Sequence, residues 1–191
     1  MNHTFEILIK TFRSLRGLIT FLFLAGIIIG TWKFIHLDDW LVLHTGGMFG
    51  MLINVEIHIA QFIIKNILGY QSVLTGNDVF MPNNVSLRMN PGCTGFKQYI
   101  QLIFILLLYP GPFRKKSWYI PVSLFILFMA SILHFVFLAV LFNGFPAQFL
   151  FFHDYLSRWM YFGIFFLIWL CWEEVIIKKE TNALKVKYKQ K

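Results

Sequence analysis

Four apolar runs limit what this chain can become. They cover residues 17–35, 93–109, 118–142 and 155–177. A helix takes about 20 apolar residues to cross the hydrocarbon core of a bilayer, and each run lies near that length. In lipid every backbone N–H and C=O must find its partner within the protein, so such runs become helices. The expected fold is all-α, a polytopic membrane helix bundle with four spanning helices. Composition agrees. The chain is 58% hydrophobic and 14% charged, where a soluble domain carries about 25% charged residues. Its 23 Phe and 6 Trp exceed what a core of this size can bury, and lipid is their natural solvent. A single membrane domain over 1–177 is expected, followed by a basic cytoplasmic tail over 178–191.

The net charge of +8 does not point to nucleic acid. Most of the basic residues sit in three clusters beside apolar runs: Lys10, Arg13 and Arg16; Arg114, Lys115 and Lys116; and the lysines from Lys178 onward. That is how positive charge marks the cytoplasmic side of a membrane protein, and such clusters also meet anionic lipid heads. The first run lacks a small-x-small cleavage pattern before Trp32 and reads as a retained anchor, not a cleaved signal.

With all three clusters inside, the chain crosses an even number of times between residue 17 and Arg114. The runs at 17–35 and 93–109 supply two crossings. The weaker segment 41–68, with His44, Glu56, His58 and Lys65, is then either interfacial or a re-entrant hairpin turning near Gly46-Gly47. Glu56, His58 and Lys65 would form its wet face. Residues 71–90 differ in kind. Val85-Ser86-Leu87-Arg88-Met89 alternates with the period of a half-buried strand. Thr75-Gly76-Asn77-Asp78 and Pro82-Asn83-Asn84 are turn chemistry. Two or three short strands are expected on the outer face, with Asp38, Asp39, Cys93 and His153.

Asn90-Pro91-Gly92-Cys93-Thr94-Gly95 joins the strands to a spanning helix. A thiol at a helix N-terminus meets partial positive charge and unpaired N–H groups, both of which favour the reactive thiolate. Gly95 leaves room for a substrate backbone, and first-turn N–H groups can hold an oxyanion. Two histidines can serve such a thiol. His153 opens the last helix. His134 lies within an apolar run, about 12 Å from Phe142 along the helix, and an ionisable group there marks a functional position. Arg158 binds a carboxylate or a lipid phosphate, or else snorkels as an anchor. Cys171, between Trp169 and Trp172, reads as a packing residue. Two cysteines make no disulfide framework and no metal set.

These residues resemble the exosortase/archaeosortase family of membrane-embedded cysteine transpeptidases, compact bacterial type. The likeness rests on Pro91-Gly92-Cys93-Thr94-Gly95-Phe96, on Tyr109-Pro110-Gly111-Pro112 with its basic cluster, on His153-Asp154, and on Tyr161-Phe162-Gly163-Ile164-Phe165 with Trp169. The resemblance implies catalytic Cys93, His134 and His153, with Arg158 and Gly95 toward substrate and no metal or organic cofactor. Its implied partner is the C-terminal sorting signal of exported proteins, cut at the outer face of the cytoplasmic membrane. Ser131 and His134 stand where the family has an Asn-x-x-Arg motif. Arg stays charged at any relevant pH, whereas a buried His is easily neutral. His134 is then either a weaker oxyanion stabiliser or a base. The competing reading is a non-catalytic membrane subunit of a polysaccharide-export or protein-secretion system.

Overall fold

The computed structural model describes residues 2–34, 37–83, 85–89, 94–148, 151–153 and 157–177, with some side chains inside those ranges excepted. Helix α1 is Asn2–Phe34 and α2 is Leu37–Phe62, prolonged by a π-turn over Ile63–Ile67. Strands β1 Val73–Thr75, β2 Asp78–Phe80 and β3 Ser86–Arg88 follow, then α3 Phe96–Leu108, α4 Phe113–Gly144 and α5 Ser157–Cys171, which continues as a π-turn over Trp172–Ile177.

Among the described residues three helices are long and apolar enough to cross a membrane, at Leu15–Trp32, Phe113–Gly144 and Trp159–Ile177. Four were expected from the sequence. The segment 93–109 falls short because α3 has only 13 residues, about 20 Å against a core of about 30 Å. Its N-cap Gly95 is left-handed at φ 68°, and Pro110 and Pro112 cannot extend its C-terminus. Large apolar side chains cover the outside of the bundle. Phe23, Phe125 and Trp159 are 66%, 61% and 71% exposed, a surface suited to lipid and not to water. Cys171 belongs to that surface. It is free and exposed, not packed as its neighbours suggested, because helical spacing turns it outward while Trp169 and Trp172 face the core.

Side-chain hydrogen bonds lock one end of the bundle. The Tyr109 hydroxyl donates to Glu173 Oε2 at 2.8 Å and lies 3.3 Å from the Gly17 carbonyl oxygen. Lys116 Nζ donates to the carbonyls of Leu107 and Tyr109 at 2.8 and 2.6 Å, neutralising the negative end of α3. Trp172 Nε1 donates to Pro110 O at 3.2 Å. Gly111 must be glycine, since it sits at φ 146° and a Cβ would fall 2.6 Å from the Trp172 ring. Between the ends, Phe21, Leu102, Ile105, Leu127, Phe165 and Trp169 form the main core.

At the other end, Trp32 of α1 packs on Phe96 and Ile100 of α3. Glu56 of α2 is bonded to Tyr99, on that same turn of α3. Helix α2 thus has Glu56 at the Trp32 level of the bundle. It is continuous through Gly46-Gly47, so the hairpin considered there is not made. Glycine weakens a helix by about 1 kcal/mol but does not break it.

The strands form one antiparallel sheet in the order β1-β2-β3. Gly76, left-handed at φ 61°, makes the tight turn between Thr75 and its cross-strand partner Asp78. The alternation expected from the sequence holds, with Leu87 and Met89 buried and Ser86 and Arg88 exposed. Val79, Met81, Leu87 and Met89 pack with Ile53, Ile57 and Ile64 of the α2 segment and with Ile132 and Phe135 of α4. Asn83 donates to the Asn143 carbonyl at 2.9 Å, which ties the sheet to the end of α4. Arg88 grips Asp78 through two bonds of 2.8 Å and holds its carboxyl below the usual range.

Candidate functional site

The site gathers at the start of α3. Thr94 is fully buried, and its hydroxyl accepts from the Phe96 N–H at 3.4 Å. Ser131, also fully buried on α4, donates to the Thr94 carbonyl at 3.4 Å. Gly95 faces the Tyr161 hydroxyl of α5, which a Cβ would meet at 3.2 Å. Left-handed φ and that close approach together require glycine here.

His134 lies one turn beyond Ser131 and is 8% exposed. Its ring meets Tyr161 edge-on, with centroids 6.1 Å apart. His153 stands within electrostatic range of His134 and is half-buried. The two histidines singled out in the sequence are thus within electrostatic range of each other, and His134 is linked to the Thr94–Gly95 turn through the Tyr161 ring. Cys93 immediately precedes Thr94 in the chain and lies outside the described residues, as does the Arg158 side chain.

The sequence places Glu56 on the wet face of its segment, and the structure corrects this. Glu56 is 0% exposed. The Tyr99 hydroxyl donates to its Oε1 at 2.9 Å, and Ser131 stands beside it. Burial pushes its carboxyl up to about 7, with Tyr99 and Ser131 pulling the other way. The signal was present in the spacing. Ile53, Glu56, Ile57, Ala60 and Ile64 share one helical face, and all are buried, whereas His58 and Lys65 on the opposite face are exposed.

A lipid-facing bundle that encloses histidines, a carboxyl and hydroxyls around one helix start defines a polytopic membrane protein with a buried polar site at one end. Residues 9–171 match the family model described as Transmembrane exosortase (Exosortase_EpsH). The chain belongs to this transmembrane exosortase family. No curated protein and no solved structure matches it.

Proposed function

We propose that the chain is an exosortase-like membrane cysteine peptidase and transpeptidase, which cleaves C-terminal sorting signals of exported proteins at the outer face of the bacterial cytoplasmic membrane. The observation that carries this reading is the buried bond of Ser131 to Thr94, the residue that directly follows Cys93, with His134 one turn along α4 and within electrostatic range of His153. In the reaction, the Cys93 thiolate attacks the scissile carbonyl and a C–S bond forms. Backbone N–H groups at the start of α3 are the available oxyanion donors. Protonated His153 gives its proton to the departing amine, the C–N bond breaks and a thioester remains. A second nucleophile then takes the acyl group.

The substrate tail is a short motif, a membrane helix and a basic cluster. Its helix would lie against the apolar outside of the bundle, and its basic cluster would share the cytoplasmic side with Arg114, Lys115 and Lys116. Co-expression with exported proteins bearing such tails tests the reading. Tail shortening is expected with the parent and absent with Cys93→Ala. Shortening that persists in Cys93→Ala would overturn it. No shortening of any tail, with the chain recovered in a stable complex of export proteins, would favour the non-catalytic subunit.

The proposed orientation puts both termini and the Arg114 cluster in the cytoplasm, and Asn77 with the sheet outside. The course of α3 supports it, since this short helix still carries the chain from the Trp32 end, where Phe96 packs, to the Gly17 end, where Tyr109 lies. In a Cys93→Ala, Cys171→Ala background, Asn77→Cys is expected to react with an impermeant maleimide added outside intact cells. Labelling only after the cells are opened would reverse the orientation.

A further inference from the structure

Nothing in the cleavage half of this mechanism uses Glu56, although the fold buries it completely. Its Oε1 is occupied by the Tyr99 hydroxyl at 2.9 Å. Its Oε2 is buried and has no hydrogen-bond partner among the described residues. Ser131 is near, but a serine has one O–H to give, and that proton goes to the Thr94 carbonyl. The groups that hold Glu56, Tyr99 and Ser131, are neutral. A buried carboxylate oxygen left open in this way is costly unless a donor, best a cationic one, arrives to fill it.

The transfer half of the reaction supplies such a donor when the acceptor is an amine. At neutral pH an amine arrives as ammonium, which is no nucleophile until it loses a proton. His153 has given its proton to the first leaving group by then and can accept only one of the two that the nitrogen must shed. A second acceptor is needed beside the thioester. We propose that Glu56 is this second acceptor and that the acyl acceptor is a primary amine, its ammonium bound by the open carboxylate oxygen. The proposal rests on the transpeptidase reading above.

The protons and bonds balance. The ammonium passes one proton to Glu56 Oε2. The free amine attacks the thioester carbonyl, a C–N bond forms and the C–S bond breaks. Cys93 leaves as thiolate, and the second nitrogen proton goes to His153, restoring the thiolate–imidazolium pair. Glu56 then releases its proton to solvent. A carboxyl held near neutrality suits both the taking and the release.

The test uses the purified full chain in detergent, with Cys171→Ala in every sample. A small peptide thioester loads Cys93 by thiol exchange, and intact mass follows the acyl group. Two probes then compete with water: glycinamide, an ammonium at neutral pH, and hydroxylamine, a neutral nucleophile that cleaves thioesters without a base. Glu56→Gln should slow transfer to glycinamide about 100-fold, the usual scale for a lost base, and leave release by hydroxylamine unchanged. Glu56→Asp should retain part of the glycinamide transfer. Equal glycinamide rates in parent and Glu56→Gln overturn the proposal. So does an equal loss with both probes, which assigns Glu56 a structural role. A parent that cannot be loaded at Cys93 overturns the transpeptidase reading itself.

Discussion

His134→Arg is expected to abolish tail shortening, and parent activity is expected to rise with pH as His134 loses its proton and to fall again where His153 loses the proton it must donate. Both follow if His134 takes the thiol proton, since Arg is protonated at every relevant pH and cannot act as a base. Loss of a general base costs about 100- to 10,000-fold, so His134→Ala should fall within that range. Geometry argues for the base over the fixed cation. The imidazole lies against Tyr161, whose hydroxyl closes on Gly95, so a longer guanidinium has little free space. A permanent charge within a spanning helix also carries a penalty that a neutral ring avoids. The opposite pattern is as easily read. If His134→Arg processed faster than the parent, and parent activity fell as pH rose, the ring would act as a cation that stabilises the oxyanion. Unchanged processing in His134→Ala at every pH would remove His134 from the chemistry. Each variant is compared at equal membrane levels, which separates activity from folding.

The parts of the fold that hydropathy and turn chemistry govern were legible. The runs that became α1, α4 and α5 were plain from length alone, because the bilayer fixes how many apolar residues a crossing takes. The strand alternation from Val85 to Met89 and the Gly76 turn were plain from local periodicity and backbone freedom. Where reading stopped, backbone geometry decided what residue types alone left open. The run 93–109 looked long enough to span, but only the left-handed Gly95 and the paired prolines reveal how much of it is helix. Helix α2 looked breakable at Gly46-Gly47, and glycine weakens a helix without obliging it to turn. Cys171 looked buried beside two tryptophans, yet sequence neighbours on a helix point about 100° apart.

The candidate site divides in the same way. Cys93, His134 and His153 stood out because each is the wrong residue for a purely structural role at its position. Glu56 did not. A lone charge in a weakly apolar helix reads as a solvated face, and its real partner is Tyr99, more than 40 residues away. The face it shares with Ile53, Ile57 and Ile64 was the sole local clue. Charge type alone had concealed it, whereas helical spacing places it in the core.

The buried carboxyl also predicts how the protein's stability depends on pH. In the folded chain Glu56 titrates at about 7, against an ordinary value of 4.5. The folded state therefore binds this proton more tightly than the unfolded state does. Glu56 imposes no electrostatic penalty below its unfolded value, and stability is lost as pH rises from there through its folded value. The full loss corresponds to about 3 kcal/mol, at roughly 1.4 kcal/mol for each tenfold change in proton affinity. Gln has nearly the same shape, can still accept from Tyr99 and does not ionise. Glu56→Gln should therefore exceed the parent by less than about 1 kcal/mol at pH 5 and by about 3 kcal/mol at pH 8, the latter a melting difference of roughly 6–12 °C for a chain of this size. Asp78, held by Arg88 below its usual range, titrates lower still and is common to both proteins, so it cancels in the comparison. Thermal unfolding of the two purified proteins in one detergent, at pH 5, 6.5 and 8, measures the effect. A gap that stays constant across the three values would mean that Glu56 is solvated or charged throughout, contrary to the burial on which its role depends. A widening gap would mean that the fold keeps an acid that lowers its stability at neutral pH, as expected of a group retained for chemistry.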